Sequence, residues 1–200
     1  MVASPPFTLM NQRGFTLVEL TMICGLILLL AAISVPGLTA YAERAHLEGA
    51  VRIFTGEFRK ARSMAIRGGV YTAIRFERTE DGAWFSVYAD GNRNGVRSDD
   101  IEEEVDRRIA GPFPLTGGAP GVRVGLLRPG LPAPPPERGA LKGDDPIRFG
   151  RSDILSFSPL GTSTPGTFYL AGENRQGAVR VTANARVRLL MWHGGAWEER

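Results

Sequence analysis

The chain has little of what catalytic and metal-binding proteins usually display. Its 200 residues include one cysteine, Cys24. No intramolecular disulfide can form, so a domain in an oxidising compartment would have to hold by packing alone. The two histidines, His46 and His193, lie far apart in the sequence and have no partners at metal-ligand spacing. No nucleophile elbow and no phosphate-binding glycine loop occurs. Ser158 and Ser163 fall in turn-like contexts with no base in view. These absences argue against an enzyme. Charge of one sign is also scarce: 24 Lys+Arg stand against 21 Asp+Glu, a net charge of +3. That excess does not by itself imply a nucleic-acid partner.

Glycine and proline are plentiful, with 25 and 14 residues. They imply many turns and long loops, which fits a β-rich domain better than a helical bundle. Hydrophobic residues make up 43% and charged residues 22%. That composition excludes a disordered polyelectrolyte. The length allows one globular domain and an appendage.

The appendage is at the N-terminus. Phe15–Val35 is almost wholly apolar over 21 residues. At about 1.5 Å per residue, a helix of that length crosses a bilayer core of roughly 30 Å. A cleaved signal peptide is the competing reading, with Ala40 and Ala42 as small residues for a cut. The apolar run is long for a signal core, and it carries a carboxylate, Glu19, near its start. A carboxylate in a membrane segment is costly, so it calls for a partner and a function.

Arg13-Gly14-Phe15-Thr16-Leu17-Val18-Glu19-Leu20 supplies that context. The string resembles the processing site of type IV pilins and type II secretion pseudopilins. The resemblance implies that a prepilin peptidase removes leader 1–14, cutting between Gly14 and Phe15, and methylates the new N-terminus of Phe15. Glu19 would then be the fifth mature residue. Pro36 also falls where these helices usually carry a proline. The physics agrees: the Phe15 amine and the Glu19 carboxylate of a neighbouring subunit are tolerable in an apolar layer when paired and costly alone. Such a pair would also set the register between subunits. Arg13 before the apolar run favours a cytoplasmic N-terminus, which places the C-terminal domain in the periplasm.

Beyond Pro36-Gly37 the pattern becomes amphipathic. Leu47, Val51, Phe54, Phe58, Ala61 and Ala65 recur on one helical face. The helix is expected over 15–67, with 15–35 in the membrane and an end at Gly68-Gly69. Residues 68–200 are expected to form the β-rich domain, giving an α+β protein with an antiparallel sheet. Tyr71–Phe76 and Trp84–Tyr88 read as a hairpin around Asp81-Gly82. Further strands are expected at Gly121–Leu127, Ile154–Ser158, Gly166–Ala171, Ala178–Thr182 and Val187–Met191. The Pro- and Gly-rich stretch 111–146 reads as a surface loop.

Leu155–Thr162, Gly166–Leu170, Ala178–Val181 and Ala185–Arg188 resemble the GspH/FimT branch of minor pseudopilins and minor pilins. That branch ends in Gly-Arg-x-Arg, and here Ala185 stands where the glycine does. The resemblance implies a structural subunit of a type II secretion pseudopilus or a type IV pilus, anchored in the inner membrane. Its partners would be the prepilin peptidase and other pilin or pseudopilin subunits.

Two internal strings invite other chemistry. Asp90-Gly91-Asn92-Arg93-Asn94-Gly95 matches the first half of a calcium loop, with Asp90, Asn92 and Asn94 as oxygen ligands. The twelfth position is Ile101 rather than glutamate, and Asp, Asn and Gly are also ordinary turn residues. No cofactor other than Ca2+ is indicated. Arg180, Arg186 and Arg188 lie near Trp192 and Trp197, a combination that can bind DNA. Some FimT-type minor pilins take up DNA, so a DNA-binding minor pilin is the alternative reading. Period-two alternation of solvated arginines explains the same residues more simply.

Overall fold

The computed structural model describes residues 14–79, 82–116, 118–141 and 144–200, and the side chain of every one of them except Pro36. Leader residues 1–13, with Arg13, and the turn residue Asp81 lie outside these. The chain divides into two compact units, residues up to Tyr41 and Ala42–Arg200.

One helix, α1 (Leu17–Gly68), runs for 52 residues. It is long and apolar enough to cross a membrane. From Leu17 to Tyr41 all its described side chains are exposed, Leu28 at 70% among them. A long stripe of exposed aliphatic residues demands lipid or other helices around it. From Leu47 the helix becomes core. Leu47, Ala50, Val51, Phe54, Phe58, Ala61 and Ala65 are each at most 1% exposed, as the helical spacing predicts. The helix stops where it can. Gly69 takes φ +65, and its N–H donates to the Ala65 carbonyl at 3.0 Å. Only glycine enters that left-handed conformation freely.

The strands are β1 (Thr72–Thr79), β2 (Gly82–Ala89), β3 (Arg107–Pro114), β4 (Arg123–Val124), β5 (Ile147–Arg148), β6 (Ile154–Phe157), β7 (Gly166–Ala171), β8 (Gln176–Val181), β9 (Val187–His193) and β10 (Ala196–Glu199). A short helix, α2 (Ser98–Glu102), lies between β2 and β3. One antiparallel sheet has the order β3-β2-β1-β6. The other has the order β10-β9-β8-β7, with both β4 and β5 paired to the free edge of β7. The α+β architecture is therefore as expected, with two sheets where one was foreseen.

The main core joins α1 to both sheets. It draws Ile74, Phe76, Phe85 and Phe157 from the first sheet and Phe168, Val179, Leu189 and Met191 from the second. Alternation sends one side of β8 and β9 to the helix and the other side away from it. Gly177 marks the closest approach, because a Cβ there would sit 2.4 Å from Val51 Cγ2.

The far face of the second sheet is not bare. Leu126, Leu131 and Leu141 from the proline-rich stretch pack on Tyr169, Ala178 and Leu190, with Trp192 and Trp197 alongside. Gln176, fully buried, pins this cover. Its Nε2 donates to the carbonyls of Gly125 (3.2 Å), Leu170 (2.8 Å) and Gly177 (3.1 Å), and its Oε1 accepts from Leu127 N at 2.5 Å. The expected surface loop is a second packed layer.

Two expectations about this region need correction. The proposed strand Gly121–Leu127 is reduced to Arg123–Val124, because Leu126 and Leu127 leave the ladder to join the cover. Gly111–Pro114 belongs to β3 rather than to the loop. Pro112 and Pro114 are tolerated there because β3 is an edge strand.

Candidate functional site

The helix start is built by Thr16. Its hydroxyl accepts a hydrogen bond from Glu19 N at 3.2 Å, and its carbonyl accepts from Leu20 N at 3.0 Å. Thr16 is therefore the N-cap, and Glu19 sits at the third helical position, as in a capping box. The sequence reading missed this role, although Thr-x-x-Glu before an apolar run is its signature. Gly14, Phe15 and Thr16 precede the helix and are exposed, Phe15 at 76%. The Gly14–Phe15 peptide bond thus lies in non-helical chain immediately outside the cap. The exposed Glu19 carboxylate stands in the first turn, where the positive end of the helix dipole favours an anion. Two residues on, the Thr21 hydroxyl donates to the Val18 carbonyl at 2.8 Å, so it places no unmet donor in the apolar stretch.

The Asp90–Gly95 loop is organised by two buried carboxylates. Asp90 and Asp106 are 5% and 2% exposed. Asp90 Oδ1 accepts from the backbone N–H of Asn92 (3.0 Å) and Arg93 (2.7 Å), and Oδ2 accepts from Gly95 at 2.9 Å. Asp106 takes Gly91 N and Arg97 N, each at 3.0 Å. Asn92 and Asn94 are exposed, with Asn92 Oδ1 accepting from Asn94 N at 3.2 Å. The Asp90 oxygens accept amide hydrogen bonds that close the loop, with Asp106 holding its flanks. Among the described residues, no cluster of three or more His, Cys, Asp or Glu could hold a metal. Asp90→Ala is expected to cost about 2–3 kcal/mol, since it strands three amide donors. Urea denaturation should show the same loss in chelator as in calcium. A loss seen only with calcium would mean that the ion, not the amides, holds the loop.

The three arginines of the basic motif have different duties. Arg180 and Arg188 stand opposite each other in the β8–β9 register. Their guanidinium groups nevertheless go to different acids. Arg180 Nη2 donates to Glu137 at 2.8 Å, and its Nη1 to the Pro134 carbonyl at 3.1 Å, which ties down the cover. Arg188 forks onto Glu199, with Nε at 2.7 Å and Nη2 on the second oxygen. That hydrogen bond holds the Glu199 carboxyl below its ordinary range. Arg186 is exposed and has no ion-pair partner among the described residues. The two tryptophans belong to the cover, with rings 5.6 Å apart and Trp197 Nε1 donating to the Pro132 carbonyl at 2.8 Å. The expected patch of three arginines and two tryptophans is not brought together as one free surface.

Most of the helix-plus-two-sheet unit, from the second half of α1 through β8, matches a known family, the type II transport protein GspH, over residues 50–186. The chain belongs to the GspH family. That membership carries a minor pseudopilin role in type II secretion and contact with other pseudopilin subunits, and the family is structural rather than enzymatic. No curated protein and no solved structure gives a significant match. The match runs from inside α1 to the residue before β9, so it leaves out β9 and β10 as well as Gly14, Phe15 and Glu19.

Proposed function

We propose that this GspH-family chain is cleaved by a prepilin peptidase between Gly14 and Phe15, methylated on Phe15, and assembled through α1 into a type II secretion pseudopilus. Before extraction it spans the inner membrane once, with the domain in the periplasm. The observation that carries this reading is the helix start. The Gly14–Phe15 bond is non-helical and exposed, the exposed apolar helix follows at once, and Glu19 is fifth from Phe15. In the assembled filament the Phe15 amine of one subunit meets the Glu19 carboxylate of another. Each charge makes the other tolerable in an apolar layer.

A type IV pilus subunit would share this N-terminus, but the family match favours the secretion system. The DNA-uptake alternative keeps only Arg186 of its three arginines without a carboxylate partner. Intact mass and N-terminal sequencing of the membrane-extracted chain test the proposal. A start at methylated Phe15 supports it. A start beyond Ala40 would mean ordinary signal-peptide removal and would overturn it.

A further inference from the structure

A crevice of about 480 Å³ opens between the second half of α1 and the β8–β9 end of the second sheet. Arg59 and Arg62 line it from the helix, and Arg186, Arg188, Arg200 and Glu199 line it from the sheet side. Five arginines therefore meet one carboxylate. Glu199 is taken by Arg188, and Arg200 turns to Glu48 at 3.0 Å and Glu198 at 3.9 Å. Arg59, Arg62 and Arg186 have no ion-pair partner among the described residues. Arg62 Nε is buried with no acceptor among the described residues. A buried donor of a charged group is costly to leave unmet, and a guanidinium is best met by a carboxylate in fork geometry.

The shape of the site selects among anions. A nucleic-acid strand needs a continuous basic track and aromatic faces for stacking. Here the basic groups converge on one concavity, and no aromatic residue lines it. A short acidic peptide segment fits better.

The chain itself carries such a segment. Asp99, Asp100, Glu102, Glu103 and Glu104 place five carboxylates within six positions, on α2 and the turn after it. Asp99, Glu102, Glu103 and Glu104 are exposed. Their one ion-pair partner among the described residues is Arg75, 3.9 Å from Glu102. We infer that the crevice is a docking site for this acidic segment of a second copy of the chain. The inference rests on the assembly reading above. A contact between two different surfaces of identical subunits is heterologous.

The test uses the full chain in detergent micelles and a fluorescein-labelled peptide of residues 98–106, followed by anisotropy. Binding is expected, and it should weaken as salt screens the charges. Arg62→Gln and Arg186→Gln should each weaken it about tenfold. Replacing Asp99, Asp100, Glu102, Glu103 and Glu104 of the peptide by the corresponding amides should abolish it. Arg151→Gln, at an exposed arginine outside the crevice, should leave it unchanged, and thermal melts should show all variants folded. Absence of peptide binding, or binding indifferent to Arg62→Gln and Arg186→Gln, overturns the inference. So does a single-stranded oligonucleotide that displaces the peptide and depends on the same two arginines. A chain methylated at Phe15 that ignores the peptide leaves the pseudopilin reading standing and removes this one.

Discussion

Gly14→Arg is expected to leave the chain at its full, uncleaved mass while it still enters the membrane. A Cβ at Gly14 would meet nothing within 4 Å. Among the described residues, none crowds a side chain there. On the proposed processing, the demand for glycine comes from a peptidase cleft that admits the backbone closely on both sides of the bond. A bulky side chain at the cut would displace the reacting carbonyl, and displacements near 1 Å can cost about a hundredfold in rate. Processing should therefore fall at least about a hundredfold, read as the ratio of full-length to trimmed mass. Membrane insertion should be unaffected, because the apolar residues of α1 are unchanged. Efficient trimming of this variant would show that the cut lies elsewhere.

The second large effect is expected in the core. Phe54→Ala should destabilise the domain by about 3–5 kcal/mol. Phe54 is fully buried and is the residue at which three layers meet. Its ring centroid lies 5.6 Å from Phe85 of the first sheet, 4.8 Å from Phe168 of the second, and 6.4 Å from Phe58 on its own helix. Truncation would leave a void that neither sheet can fill alone, since each is fixed by its own ladder. The melting temperature should drop by roughly 10 °C for a domain of this size. The neighbouring Ile53, half exposed, is the control: Ile53→Ala should cost below about 1 kcal/mol. Equal losses at the two positions would mean that α1 does not use this face to bind the sheets.

The legibility of the sequence follows from where each signal comes from. The amphipathic half of α1 was readable because a helix buries a stripe with a fixed period, and its apolar residues from Leu47 to Ala65 keep that period. Strand Gly166–Ala171 was placed to the residue, since a short apolar run between turn residues leaves little freedom. Strands β3, β5 and β10 were missed. Two residues of β5 carry no period at all, whereas β10 could have been found from Gly194-Gly195 between Trp192 and Trp197. The proline-rich stretch was misread in kind, because proline content reports the lack of ladder donors and says nothing about burial. Leu126, Leu131 and Leu141 were the overlooked sign that this segment has a floor. At the candidate site, Gly14, Phe15 and Glu19 come from a local string and the Thr16 cap was open to the same kind of reading, while the Arg59–Arg62 side of the crevice depends on the fold. The crevice joins residues more than a hundred positions apart, which no local pattern encodes.

The covered sheet has a consequence for how this subunit can diversify. Its second sheet is enclosed on both faces, by α1 on one side and by the proline-rich layer on the other. A neighbour approaching from the outer side meets Pro129, Gly130, Pro135 and Arg138, all exposed, and not the strands beneath. Anchorage and display are thus assigned to different residues of one segment. Gln176 and the three leucines fasten it, while the outward positions are free to drift. The layer can act as an exchangeable livery: its outer chemistry can be rewritten for a new neighbour without disturbing the ladder it protects.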